Sequence, residues 1–110
     1  MKPTNSDKLN KIPVTIDRDF ESIIDEYLQI TLDNTRELRE SLAKRDFEKI
    51  ETIGHNWKGT GEAYGLKRIT EVGAKIETLA KNNSEKGIEG LVDIIHDYIN
   101  RLDITFEEFT

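Results

Sequence analysis

From Phe20 onward, apolar side chains recur at intervals of three and four residues, the spacing that gathers them on one face of an α-helix. The first run is Phe20, Ile23, Ile24, Tyr27, Leu28, Leu38 and Leu42. Asp17 is read as its N-cap, with Asp19 and Glu21 placing negative charge where the helix dipole favours it. Polar Thr31, Asp33, Asn34 and Thr35 interrupt this stripe and leave a kink or break open before the element ends near Lys44. A second run, Phe47, Ile50, Ile53, Gly54 and Trp57, follows Asp46 as N-cap, with Lys49 where a capping-box glutamate would stand. Gly65 suits the left-handed residue that ends a helix. The third run holds Leu66, Ile69, Val72, Gly73, Ile76, Leu79 and Ala80, and closes on the turn Asn82-Asn83-Ser84, where Ser84 is a candidate N-cap. The fourth carries Ile88, Leu91, Val92, Ile95, Tyr98, Ile99 and Leu102.

Four amphipathic helices joined by short turns predict an all-α fold, an antiparallel up-and-down four-helix bundle. Met1 to Pro13 is polar, contains both prolines and shows no period. Residues 1–16 are therefore read as a flexible N-terminal segment, 17–103 as the bundle, and 104–110 as a tail or an extension of the last helix. Within that tail, Ile104, Phe106 and Phe109 either prolong the helix or fold back.

Composition narrows the class. A chain of 110 residues is about the commonest domain size and can bury a hydrophobic core. Its net charge of −6 argues against nucleic acid and against an anionic membrane surface, both of which call for a basic face. No apolar run approaches the roughly 20 residues of a membrane span, and the N-terminus has no apolar signal-peptide core. The absence of cysteine removes disulfides and thiolate metal sites. A cytoplasmic, acidic, helical domain is the expectation, with monomer as the default state.

The segment His55 to Gly65 carries the candidate chemistry. Steps of 100° per residue put Ile50, Ile53 and Trp57 on the core side of the second helix and leave His55 facing solvent, near Glu51 and Lys58. Imidazole is a good nucleophile near neutral pH. Lys58 lies three positions on, and its charge would offset a phosphoryl group. Gly59, four positions on, leaves room for another protein to close over the ring. Gly59 and Gly61 each weaken a helix by up to about 1 kcal/mol relative to alanine. Gly54, Gly61 and Gly73 are read as permitting close helix contact, with no further role apparent for Gly61. His96, flanked by Ile95 and Asp97, is read as an ordinary surface histidine. Trp57 and Tyr64 are packing residues, and the acidic runs 17–26 and 107–108 are solvated faces. Glu51 and His55 lie one turn apart, but neither a second histidine nor a carboxylate pair completes a metal site.

The pattern His55, Lys58-Gly59, Gly61 and Gly65, followed by Leu66, Ile69 and Ile76-Glu77, resembles the histidine-containing phosphotransfer (HPt) family. The lead-in Leu42 to Phe47 matches as well, and the likeness covers about residues 20 to 102. Gly54 stands where alanine is usual, Trp57 where leucine is common, and Ile76-Glu77 replaces a leucine-glutamate pair. The resemblance implies a four-helix bundle whose histidine takes phosphate from the aspartate of a receiver domain and returns it to another. It assigns His55 as the phosphorylated residue, Lys58 as the nearby charge and Gly59 as the small neighbour that permits docking. Mg²⁺ would be carried by the receiver, so no cofactor is expected of this chain.

The expected function is thus that of a phosphocarrier in a multistep two-component phosphorelay. Its partners would be response-regulator receiver domains or a hybrid histidine kinase. It would not itself be an enzyme, because no ATP-binding motif is present. The competing reading is a non-catalytic helical module that binds and inhibits a receiver or kinase without taking phosphate. A second is the phosphorylatable domain of a chemotaxis-type kinase.

Overall fold

Asp46 shows how local sequence sets the helix boundaries. Its carboxylate accepts the backbone N–H of Lys49 at 3.2 Å, opening a helix over Phe47–Thr60. The computed structural model describes residues 10–109. Its elements run β1 (Ile12–Asp17), α1 (Ile24–Ala43), α2 (Phe47–Thr60), α3 (Lys67–Lys81), α4 (Ile88–Arg101) and β2 (Leu102–Glu107). Short 3-10 turns at Arg18–Phe20 and Glu62–Tyr64 lead into α1 and out of α2.

The four helices stand where the periodicity places them, and their cross-helix contacts run in opposite chain directions. Tyr27 meets Thr60 while Asn34 meets Trp57 and Glu37 meets Lys49, pairing α1 with α2. Arg68 lies over the Tyr98 ring, and Leu79 reaches Gly87 at the other end of the α3–α4 pair. Arg39 bonds Asp93 at 2.7 Å between α1 and α4. Ile24, Leu38, Ile50, Trp57, Ile69, Ile76, Val92 and Ile95 form the shared core, each 1% exposed or less. Trp57 completes its burial by donating Nε1–H to Asn34 Oδ1 at 3.1 Å. No helix among the described residues is long and apolar enough to cross a membrane.

Four expectations need correction. The first helix does not break at its polar middle: α1 is continuous. Thr31 and Thr35 are buried there because their hydroxyls bond back to the carbonyls of Tyr27 and Leu32, satisfying the polar atoms within the helix. Asp17 caps the preceding 3-10 turn, accepting Asp19 N–H, and the α-helix begins later, at Ile24. Ser84 is not the cap of α4. That position is Gly87, whose φ of 95° favours glycine, while Ser84 N–H closes the end of α3 on the Leu79 carbonyl.

The fourth correction is the largest. Residues 12–16 of the expected flexible segment are not loose, and residues 104–107 do not prolong the last helix but leave it as a strand. The two strands form a parallel ladder, with Ile12 opposite Leu102 and Asp17 opposite Glu107. The earlier part of the expected flexible segment, 1–9, lies outside the described residues. Ile12, Val14 and Ile16 alternate inward with Leu102, Ile104 and Phe106, while Pro13, Thr15, Asp103 and Thr105 face out. Ile16 is fully buried. Arg101 Nε–H bonds the Asn10 carbonyl at 2.7 Å, and Arg18 bonds the Phe106 carbonyl at 3.2 Å, so the ladder is tied at both ends. Below the ladder, Tyr64 stacks on Tyr27 with ring centres 4.3 Å apart and meets the edge of Phe20 at 5.2 Å. The fold is four helices with a small parallel sheet closing one end.

Candidate functional site

His55 sits in the middle of α2 because its neighbours Ile53, Gly54 and Trp57 take the buried face. Its side chain is 68% exposed, as the helical spacing requires. The ring is held by a residue from another helix: Nδ1 lies 2.9 Å from Oε2 of Glu77 on α3. Glu51, on the same helix, is not its partner.

Glu77 is the part of the site that periodicity alone missed. Its side chain is only 8% exposed, between the two helices. Oε1 lies 3.4 Å from Lys58 Nζ, and Oε2 lies 3.8 Å from Lys81 Nζ. The hydrogen bond with His55 holds the Glu77 carboxyl below its ordinary range. Burial opposes that shift, while the hydrogen bond from Lys58 and the charges of Lys58 and Lys81 reinforce it. An ionised carboxylate can only accept. Nδ1 therefore carries the hydrogen and donates it to Oε2. In the neutral ring the free lone pair then lies on Nε2, the nitrogen remote from Glu77.

The close approach of the helices makes this contact available. A Cβ on Gly61 would fall 2.6 Å from the Thr70 backbone nitrogen, and one on Gly54 would fall 2.8 Å from that of Glu77. Real Cβ contacts are not that short, so glycine is required at both positions. Gly61 is thus a packing residue, as the close-contact reading expected. Gly59 is different: a Cβ there would meet nothing within 4 Å. The space beside the imidazole is open, and no contact within this chain demands a glycine.

The structure therefore brings His55, Lys58 and Gly59 together on one exposed surface and adds Glu77 and Lys81 from α3. The signal for Glu77 was present in the sequence. It falls on the apolar stripe of Ile69, Val72, Gly73, Ile76 and Ala80, where a lone carboxylate needs a partner. Lys81 follows from it by one helical turn. His96 is elsewhere, on α4, exposed and 3.4 Å from Asn100 Nδ2, with no carboxylate partner among the described residues.

No curated protein and no solved structure matches the chain. One family model, described as the Hpt domain, matches residues 22–105. That span runs from the residues before α1 into β2, and so takes in all four helices and the whole His55–Glu77 cluster. The chain belongs to the Hpt domain family.

Proposed function

We propose that His55 is the phosphoacceptor of this domain, taking a phosphoryl group from a receiver-domain aspartate and passing it to another receiver. Hpt domains have a phosphotransfer role in phosphorelays, with receiver domains and histidine kinases as partners. The observation that carries the assignment is the orientation of the ring: Nδ1 is held by a buried carboxylate while the rest of a 68% exposed imidazole faces outward.

In the step proposed, the Nε2 lone pair attacks phosphorus, an Nε2–P bond forms, and the acyl-phosphate P–O bond breaks to release the aspartate carboxylate. Nδ1 keeps its proton throughout. The ring becomes positively charged as the bond forms, and the Glu77 carboxylate at 2.9 Å stabilises that charge. Glu77 also fixes the tautomer, so that Nε2 is ready without prior proton movement. Lys58 offsets phosphoryl charge from the same face. The open space at Gly59 admits the partner's active site. Return transfer reverses the same bond changes, leaving the imidazole as it began.

The test is incubation with a phosphorylated receiver domain while following label. Transfer that disappears in His55→Gln, on a product labile to acid and stable to alkali, is the expected result. Label on His55→Gln would assign the chemistry to another residue. Receiver binding without any transfer would favour the non-catalytic interaction module.

A further inference from the structure

The structure adds two charges from α3, on Glu77 and Lys81, to the Lys58 that helical spacing sets beside His55. Glu77 contributes one negative charge, and Lys58, at 3.4 Å, cancels it. With a neutral imidazole, those three side chains sum to zero. Lys81, 3.8 Å from the oxygen that also holds His55, adds one uncompensated positive charge to the cluster. The cluster is cationic only with both lysines present.

We propose that Lys81 is a second cation of the phosphoryl site, drawn from Glu77 toward the phosphoryl oxygens when Nε2 is phosphorylated. This rests on the reading of His55 as the phosphoacceptor. Mobility separates the partners: the Glu77 side chain is 8% exposed, the Lys81 side chain 58%. The carboxylate stays where packing holds it, whereas the ammonium swings on a long solvated stem. Two negative charges on the phosphoryl group attract the Lys81 ammonium more strongly than the one on Glu77. A lysine in the last turn of a helix also has an ordinary explanation, since it meets the negative end of the helix dipole. That role acts on stability alone and requires no effect on phosphate.

The experiment phosphorylates the whole protein directly with phosphoramidate, so that no partner enters. The Nε2 lone pair forms a bond to phosphorus as the donor's P–N bond breaks and ammonia leaves. Formation and hydrolysis of phospho-His55 are compared in the wild type, Lys81→Ala, Lys81→Arg and Lys75→Ala, the last removing an α3 lysine that has no ion pair among the described residues. Lys81→Ala is expected to form phosphohistidine about threefold to fivefold more slowly at low salt and to lose it correspondingly faster. The difference should shrink as salt screens the charge. Lys81→Arg restores most of the effect, and Lys75→Ala shows none. Wild-type rates in Lys81→Ala, an equal loss in Lys75→Ala, or a lowered melting temperature with unchanged phosphate kinetics would each overturn the proposal. If wild-type His55 takes no phosphate, or His55→Gln takes as much, the phosphoacceptor reading fails first and Lys81 falls with it.

Discussion

Gly54 and Gly73 meet backbone to backbone across the α2–α3 interface. A Cβ on Gly54 would lie 3.0 Å from the Gly73 carbonyl oxygen, and one on Gly73 would lie 2.8 Å from the Gly54 carbonyl oxygen. The Gly73 Cβ would also approach Lys58 N to 2.6 Å. This pair sets the separation at which a glutamate on α3 reaches the histidine beside Gly54. Gly73→Ala must push the helices apart, and overpacking of this kind costs about 1–3 kcal/mol. Urea unfolding should show the loss, and phosphorylation of His55 should slow because Glu77 retreats with α3.

Gly59 should behave in the opposite way. Gly59→Ala has room for its Cβ and removes a flexible residue from a helix interior, so stability should rise by about 0.5–1 kcal/mol. Gly59→Gln should keep the fold and accept phosphate from phosphoramidate at the wild-type rate, yet transfer poorly with a receiver domain. Slowing of both reactions to the same degree would contradict the assignment of Gly59 to partner clearance.

Glu77 should matter to chemistry in proportion to what its replacement can still accept. Glu77→Ala removes the partner of Nδ1, freeing the ring to adopt either tautomer, and should slow phosphorylation about tenfold or more. Glu77→Gln keeps an acceptor oxygen but not the charge, and should fall between alanine and the wild type. Single-turnover labelling with circular dichroism as a folding control distinguishes these outcomes.

The same carboxylate gives the fold a dependence on acid. Its pKa in the native state lies below the ordinary 4.5, so the unfolded chain binds a proton more readily. The corresponding stabilisation is complete above 4.5 and is lost as pH falls through the depressed native value. Glu77→Gln should flatten that part of the stability curve relative to the wild type. Parallel curves below pH 4.5 would show that the ion cluster contributes nothing to folding.

Ile16 tests the strand that composition concealed. It is fully buried, and Ile16→Ala should cost about 2–4 kcal/mol in a denaturant titration. A loss this large belongs to a core residue and not to a lead-in.

The helices were legible because each presents a repeating apolar face and Asp46 caps α2 as expected, while Gly65 is left-handed as expected but closes the 3-10 turn after α2. His55 was legible for the converse reason, being polar where the stripe turns away. The strands were not. Ile12, Val14 and Ile16 do alternate, but Pro13 interrupts them and their partner is not a neighbouring strand reached through a hairpin turn. Glu77 stood out as a charge on an apolar stripe, but its partner could be named only once the facing helix was known. Gly61 is similar: nothing in α2 itself demands it, and Thr70 on the next helix does.

The parallel ladder also governs when the fold can be completed. Arg101 meets Asn10 across 91 positions and Arg18 meets Phe106 across 88, bridging opposite ends of the described chain. Each helix hairpin closes a short loop, so bundle formation is a local and fast process. The sheet must instead bring opposite ends of the sequence together, at a larger loop-closure entropy. During synthesis β1 emerges before the helices, and its partner β2 only after all four of them. The ladder is therefore the last pairing that synthesis can complete, after all four helices have emerged.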